Sequence, residues 1–179
     1  MADNRTYDIR SILEEMRQEY WQGLAESEES PEELLECVTF TLGGETYAFE
    51  TIHASEVIRV PKLVKVPGVQ QLIVGIFNLR GEIIAAVDIR SLLGIPSPQL
   101  TAGARIIVIK RDGFTTGIIT EGVQGVVALP LEMFEPVVKS VAAGAREFIR
   151  GQINHDGRMA MLLDIVRLLE SPELTVNHD

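Results

Sequence analysis

Two periods of hydrophobicity divide the chain. Ile9, Ile12, Leu13, Met16, Tyr20 and Leu24, with Trp21 beside them, recur at helical spacing, which predicts an amphipathic helix over residues 8–24. From Cys37 onward the period is two. Val38, Phe40 and Leu42 alternate with threonines, Gly43-Gly44 supplies a turn, and Thr46 to Phe49 runs back, which predicts a β-hairpin. Ile73 to Leu79, Glu82 to Val87, Arg105 to Lys110, Thr115 to Thr120 and Arg158 to Leu163 read as further short strands, with Asp112-Gly113 turning a second hairpin. Pro61, Pro67, Pro96, Pro98 and Pro130 fall between these runs, where a missing N–H costs no ladder bond. Short strands with a turn signal every 8–12 residues or about that predict a sandwich or barrel rather than alternating βα units.

The chain also repeats itself. Shifted by 76 residues, IVGIFNLRGEIIAAVDIRSLLG (Ile73 to Gly94) falls on IRGQINHDGRMAMLLDIVRLLE (Ile149 to Glu170), with eight of 22 positions identical. Each copy reads as strand, Asn-x-x-Gly turn, strand, then an aspartate capping a short helix whose Leu-Leu pair faces the core. Asn78, Gly81, Asn154 and Gly157 suit tight turns, and Asp88 and Asp164 suit helix N-caps. Upstream of each copy lies a hairpin followed by a Val/Ile-rich stretch. The expected body is therefore mainly β, two similar small β-barrels, each completed by a shared hairpin-and-helix unit.

The repeat is not symmetric in charge. Arg80 in the first turn corresponds to Asp156 in the second, and Arg59 closes the apolar run HASEVIRV where the related stretch GVQGVVAL has no charge. A lone arginine at a turn is ordinarily just solvated, but this asymmetry makes Arg80 and Arg59 candidates for binding.

Charge adds a boundary. The chain of 179 residues carries a formal charge of −10, of which residues 1–36 hold −8 and the remaining 143 only −2. That step separates an acidic tail (1–36), with its helix and a Glu-rich linker at Ser27 to Pro31, from a body over 37–172 and a short end over 173–179. The helix either packs on its own domain or serves as a docking helix for a partner groove. Acidity argues against nucleic acid and against anionic lipid as partners. The opening MADNRTYDIR lacks the apolar run of a secretory leader, and no stretch reaches the roughly 18 apolar residues of a membrane span, so no direct membrane insertion is expected and the expected location is cytoplasmic.

Catalytic parts are missing. His53, His155 and His178 do not pair with one another or with Cys or Glu at metal-ligand spacing, and no nucleophile elbow, P-loop or dinucleotide fingerprint occurs. Cys37, the single cysteine, sits beside Glu33 and Glu36, which oppose thiolate formation. No catalytic residue, metal or cofactor is expected. A core without such chemistry points to a binding module.

FTLGGETYAFETIHASEVIRV (Phe40 to Val60), Val66-Pro67-Gly68 and above all GIFNLRGEIIAAVDIRSLLG (Gly75 to Gly94) resemble the CheW family of bacterial chemotaxis coupling proteins, over about Val38 to Ser171. Ala85 stands where that family usually has proline, a local change in strand rigidity. The resemblance implies two five-stranded SH3-like barrels around a common core. It implies an adaptor, not an enzyme, that bridges the regulatory domain of a chemotaxis histidine kinase to the cytoplasmic tips of chemoreceptors. It places Arg80, in its Asn78-Leu79-Arg80-Gly81 turn, at the receptor contact, with Glu56, Val57 and Ile58 near the same surface. The acidic tail has no counterpart in the simplest members. The alternative is a regulatory module whose helical tail docks another partner or which competes for the coupling surface.

Overall fold

The computed structural model describes residues 13–21, 32–137 and 141–174. The chain divides into two units, residues 1–33 and 34–179. In the first, residues 13–21 form a helix (α1) whose Leu13, Met16, Tyr20 and Trp21 are exposed. The rest of the expected helix, the linker and residues 175–179 lie outside the described residues.

The second unit holds ten strands: β1 (Leu34–Leu42), β2 (Glu45–Glu50), β3 (Ala54–Arg59), β4 (Ile73–Leu79), β5 (Glu82–Val87), β6 (Arg105–Arg111), β7 (Phe114–Thr120), β8 (Gly122–Pro130), β9 (Ile149–His155) and β10 (Arg158–Leu163), followed by a short helix α2 (Ile165–Leu169). They make two five-stranded mixed sheets, β8-β1-β2-β10-β9 and β3-β6-β7-β5-β4, here sheet A and sheet B. β1 begins at Leu34, before the charge boundary, because Leu34 and Leu35 pair with Pro130 and Leu129 of β8.

The two halves of the sequence do not form one sheet each. Sheet A takes its hairpin, β1–β2, from the first half and its other three strands, β8 to β10, from the second; sheet B does the reverse. The exchange shows in the pairing. β2 lies parallel to β10, with Tyr47 opposite Met161, and β5 lies parallel to β7, with Ala86 opposite Gly117. Parallel neighbours need a long crossover, and here residues 51–157 connect β2 to β10 while residues 88–113 connect β5 to β7.

Each sheet is closed by the chain beyond its edge strand. After β3 the backbone crosses to β4, where Val64 and Ile76 exchange N–H···O bonds of 2.9 and 2.8 Å; after β8, Glu135 and Gln152 do the same at 2.8 and 2.9 Å. The crossings explain two glycines that the repeat conserves. A Cβ on Gly75 would lie 2.9 Å from the Val64 carbonyl oxygen, and one on Gly151 3.0 Å from that of Glu135. Closure pairs the otherwise bare edges and makes each sheet a small barrel.

Strand alternation then yields three cores. Cys37, Ala48, Leu129, Ile153, Ala160 and Leu162 fill barrel A, and Phe77, Ile84, Ala86, Ile106, Val108 and Ile119 fill barrel B. The opposite faces of the same strands, including Phe40, Leu42 and Phe49 from sheet A and Ile107, Ile109 and Ile118 from sheet B, meet in a central core. The Leu-Leu segments of both repeats pack into it through Leu92, Leu93 and Leu168.

The two aspartates end their strands differently. Asp164 caps α2, accepting the Arg167 N–H at 3.0 Å. Asp88 accepts the N–H of Arg90, two residues on, and is also gripped by the Arg90 guanidinium, so the chain there forms overlapping turns rather than an α-helix.

Candidate functional site

β3 and β4 are the two edge strands of sheet B, and Arg80, just past the end of β4, links them by reaching Glu56 of β3. Arg80 and Gly81 make the β4–β5 turn with positive φ of 51° and 89°. Asn78 fixes that turn by accepting the Gly81 N–H at 3.0 Å. The Arg80 guanidinium reaches β3 and donates to both oxygens of Glu56, each at 2.7 Å. This bidentate pair is the strong form of an ion pair. The hydrogen bonds from Arg80 hold the Glu56 carboxyl below its ordinary pKa, while Glu56 raises that of Arg80. The Arg80 side chain stays 73 % exposed.

Alternation sorts the remaining candidates on β3. Glu56 and Ile58 point to one side and Val57 and Arg59 to the other. Ile58 packs against the interior of barrel B, whereas Val57 is 43 % exposed and Arg59 is exposed on the outer face. Arg80, Asn78 and Glu56 are thus brought together, and Ile58 supports them from within. Ile83, directly opposite Asn78 across β4–β5, is 62 % exposed beside the same turn. Its place in the continuous apolar run Ile83 to Val87 hid it from sequence reasoning.

A second set of residues was also missed. Arg90 is buried and spans Asp88 (2.7 Å), Glu121 (3.0 Å) and the Pro98 carbonyl (3.3 Å). Glu121 in turn accepts the Gly43 N–H at 3.0 Å, while its own N–H donates to Thr41 at 3.0 Å. The network ties the exit of β7 in sheet B to the β1–β2 hairpin of sheet A, and so fixes the barrels against each other. The signal was available: Arg90 corresponds to Val166 in the repeat.

Cys37 lies inside barrel A, where burial, with Glu50 nearby, pushes its thiol up to about 11. Among the described residues no cluster of three or more His, Cys, Asp or Glu could hold a metal ion, and no helix is long and apolar enough to cross a membrane.

Arg80, paired with Glu56 on the rim of one of two interleaved barrels and set beside the exposed Ile83, is the candidate site. The comparisons with known proteins give the fold its family. Residues 36–173 match the model of the CheW-like domain. The chain is similar to the chemotaxis protein CheW of Klebsiella aerogenes, 28 % identical over 141 residues that cover 79 % of this chain and 85 % of that one. It is similar also to protein PilI of Pseudomonas aeruginosa, 24 % identical with 66 % and 67 % covered. The crystal structure of the scaffolding protein TtCheW from Thermoanaerobacter tengcongensis superposes with a TM-score of 0.69 at 26 % identity, covering 81 % of this chain and 94 % of that one. The chain belongs to the CheW-like domain family, and it is a scaffold rather than an enzyme.

Proposed function

We propose that this chain is a cytoplasmic adaptor of a chemotaxis-type array that holds the regulatory domain of a histidine kinase to the cytoplasmic tips of chemoreceptors. Membership of the CheW-like family supports that role, and the Arg80–Glu56 pair carries the assignment of the receptor face. A guanidinium has five N–H donors, and Glu56 engages two, one from each terminal nitrogen. The other three stand on an exposed side chain whose direction Glu56 already fixes, so little conformational entropy remains to be lost on binding. Asn78 holds the turn that aims Arg80, Ile83 and Val57 offer apolar contact, and Arg59 adds a second cation. A helical receptor tip with polar and apolar side chains suits that combination.

The test is a calorimetric titration with a receptor tip. Arg80→Asp, which copies the second repeat, is expected to weaken binding by about 1–3 kcal/mol while the melting temperature barely moves. Unchanged affinity would move the receptor face elsewhere.

A further inference from the structure

Helix α1 takes no part in the coupling proposed above, yet its surface is not that of a spacer. A helix that only bridges is polar all round. In α1 all four apolar side chains, Leu13, Met16, Tyr20 and Trp21, are 60–65 % exposed, and Tyr20 and Trp21 meet edge to face at 6.2 Å.

At about 100° per residue these four fall on one stripe of the helix. Arg17 lies within it, between Leu13 and Trp21. Glu14 borders the stripe beside Trp21, Glu19 borders it beside Met16, and Glu15 and Gln18 lie opposite. In the sequence the same spacing continues to Ile9 and Ile12 before α1 and to Leu24 after it.

Charge narrows what can cover such a stripe. Residues 1–36 hold eleven acidic side chains against Arg5, Arg10 and Arg17, a net of −8. Pairing with the same helix of a second copy would set two such charges side by side, and an anionic lipid surface repels the segment for the same reason. A protein groove with an apolar floor and Lys or Arg along both rims covers the stripe and sets a cation opposite each of Glu14 and Glu19. Arg17 lays its stem along that floor and adds one requirement, an acceptor where its guanidinium emerges.

We propose that α1 is a docking helix, and that its occupant is a partner protein with an apolar groove rimmed by basic side chains. The element is separate from the strands of both barrels, so it adds a binding function to the coupling module instead of reusing a barrel surface.

Trp21 is the single tryptophan of the chain, so its emission reads the stripe directly. The probe is a synthetic tryptophan-free helical hairpin whose two helices enclose a Leu groove flanked by Lys, with a twin that carries Glu for every Lys. Each is titrated into the full chain. The Lys hairpin is expected to move Trp21 emission saturably to shorter wavelength, and the Glu twin to bind at least tenfold more weakly. Met16→Asp, which puts a charge in the stripe, is expected to lose at least tenfold in affinity. Gln18→Asp, with the same charge on the opposite face, and Arg80→Asp are expected to bind at least as tightly as the parent. Far-ultraviolet circular dichroism checks that each variant is folded. Equal binding of the two hairpins, no saturable shift, or full affinity in Met16→Asp overturns the proposal. Equal loss in Met16→Asp and Gln18→Asp, or loss in Arg80→Asp, overturns it too. Short-wavelength emission without any probe overturns it in favour of a second copy or the chain itself as the cover, and dilution separates those two.

Discussion

Arg80 and Asp156 occupy the same position of two equivalent hairpin turns, with φ of 51° and 50°, yet Arg80 grips Glu56 across its barrel while Asp156 meets its own neighbour His155. The repeat supplies the backbone, and single substitutions upon it decide which barrel mouth carries the Arg80–Glu56 clip.

The clip has a pH signature. The Glu56 pKa lies below its ordinary value of 4.5 because the Arg80 guanidinium donates to its carboxylate. A depressed folded-state pKa means that the contribution of the pair is complete above the unfolded value and is lost as pH falls through the folded one. Carboxyl-detected NMR is expected to show Glu56 titrating at lower pH in the parent than in Arg80→Ala. Identical midpoints would show that the two side chains do not pair in solution.

Arg90 is the buried charge on which the relation of the barrels depends. In Arg90→Leu, Asp88 and Glu121 keep their places without their cation, and breaking such a pair costs about 3 kcal/mol or more. Both carboxylates keep some exposure, which sets the expectation at that lower figure. Urea unfolding measures it; a loss under about 1 kcal/mol would show that the network tolerates water in place of the arginine.

Leu92 and Leu168 enter the same central core from the two repeats. Each Leu→Ala change is expected to cost about 2–5 kcal/mol, since both side chains are buried and the surrounding strands are held by their ladders. Chemical denaturation of the two variants tests this, and near-zero loss at Leu92 would mean that its turn segment packs loosely.

The strand exchange predicts interdependent halves. Residues 34–103 alone would leave β1–β2 without β8 to β10 and β3 to β5 without β6–β7. That fragment is expected to lack the near-ultraviolet circular dichroism and dispersed NMR spectrum of a packed core, and to gain both on mixing with residues 104–179. A fragment that folds alone would contradict the exchange.

Much of the local structure was legible in the residues. Alternation around Gly43-Gly44 and Asp112-Gly113 marked both hairpins, and the 76-residue shift marked the paired units from Ile73 and Ile149. Partner choice was not legible, because nothing in Thr46 to Phe49 says that its parallel neighbour lies more than a hundred residues away. Asp88 and Asp164 looked alike as caps; Arg90, two residues after the first, turns one into an ion-pair ligand. Glu56, Val57 and Ile58 read as one surface segment, but the pleat of β3 sends Ile58 into the barrel and Val57 out of it. The resemblance named Arg80 as a contact; its hydrogen bonds to Glu56 required the closure of barrel B to become visible.

The most direct test of the adaptor role is whether one chain holds both partners at once. Analytical ultracentrifugation of the full chain with a kinase regulatory domain and a receptor tip, singly and together, reads this out. The predicted result is a ternary species with the parent, and a binary complex with the kinase domain alone for Arg80→Asp. Mutually exclusive binding of the two partners, or a ternary complex indifferent to Arg80→Asp, would contradict it.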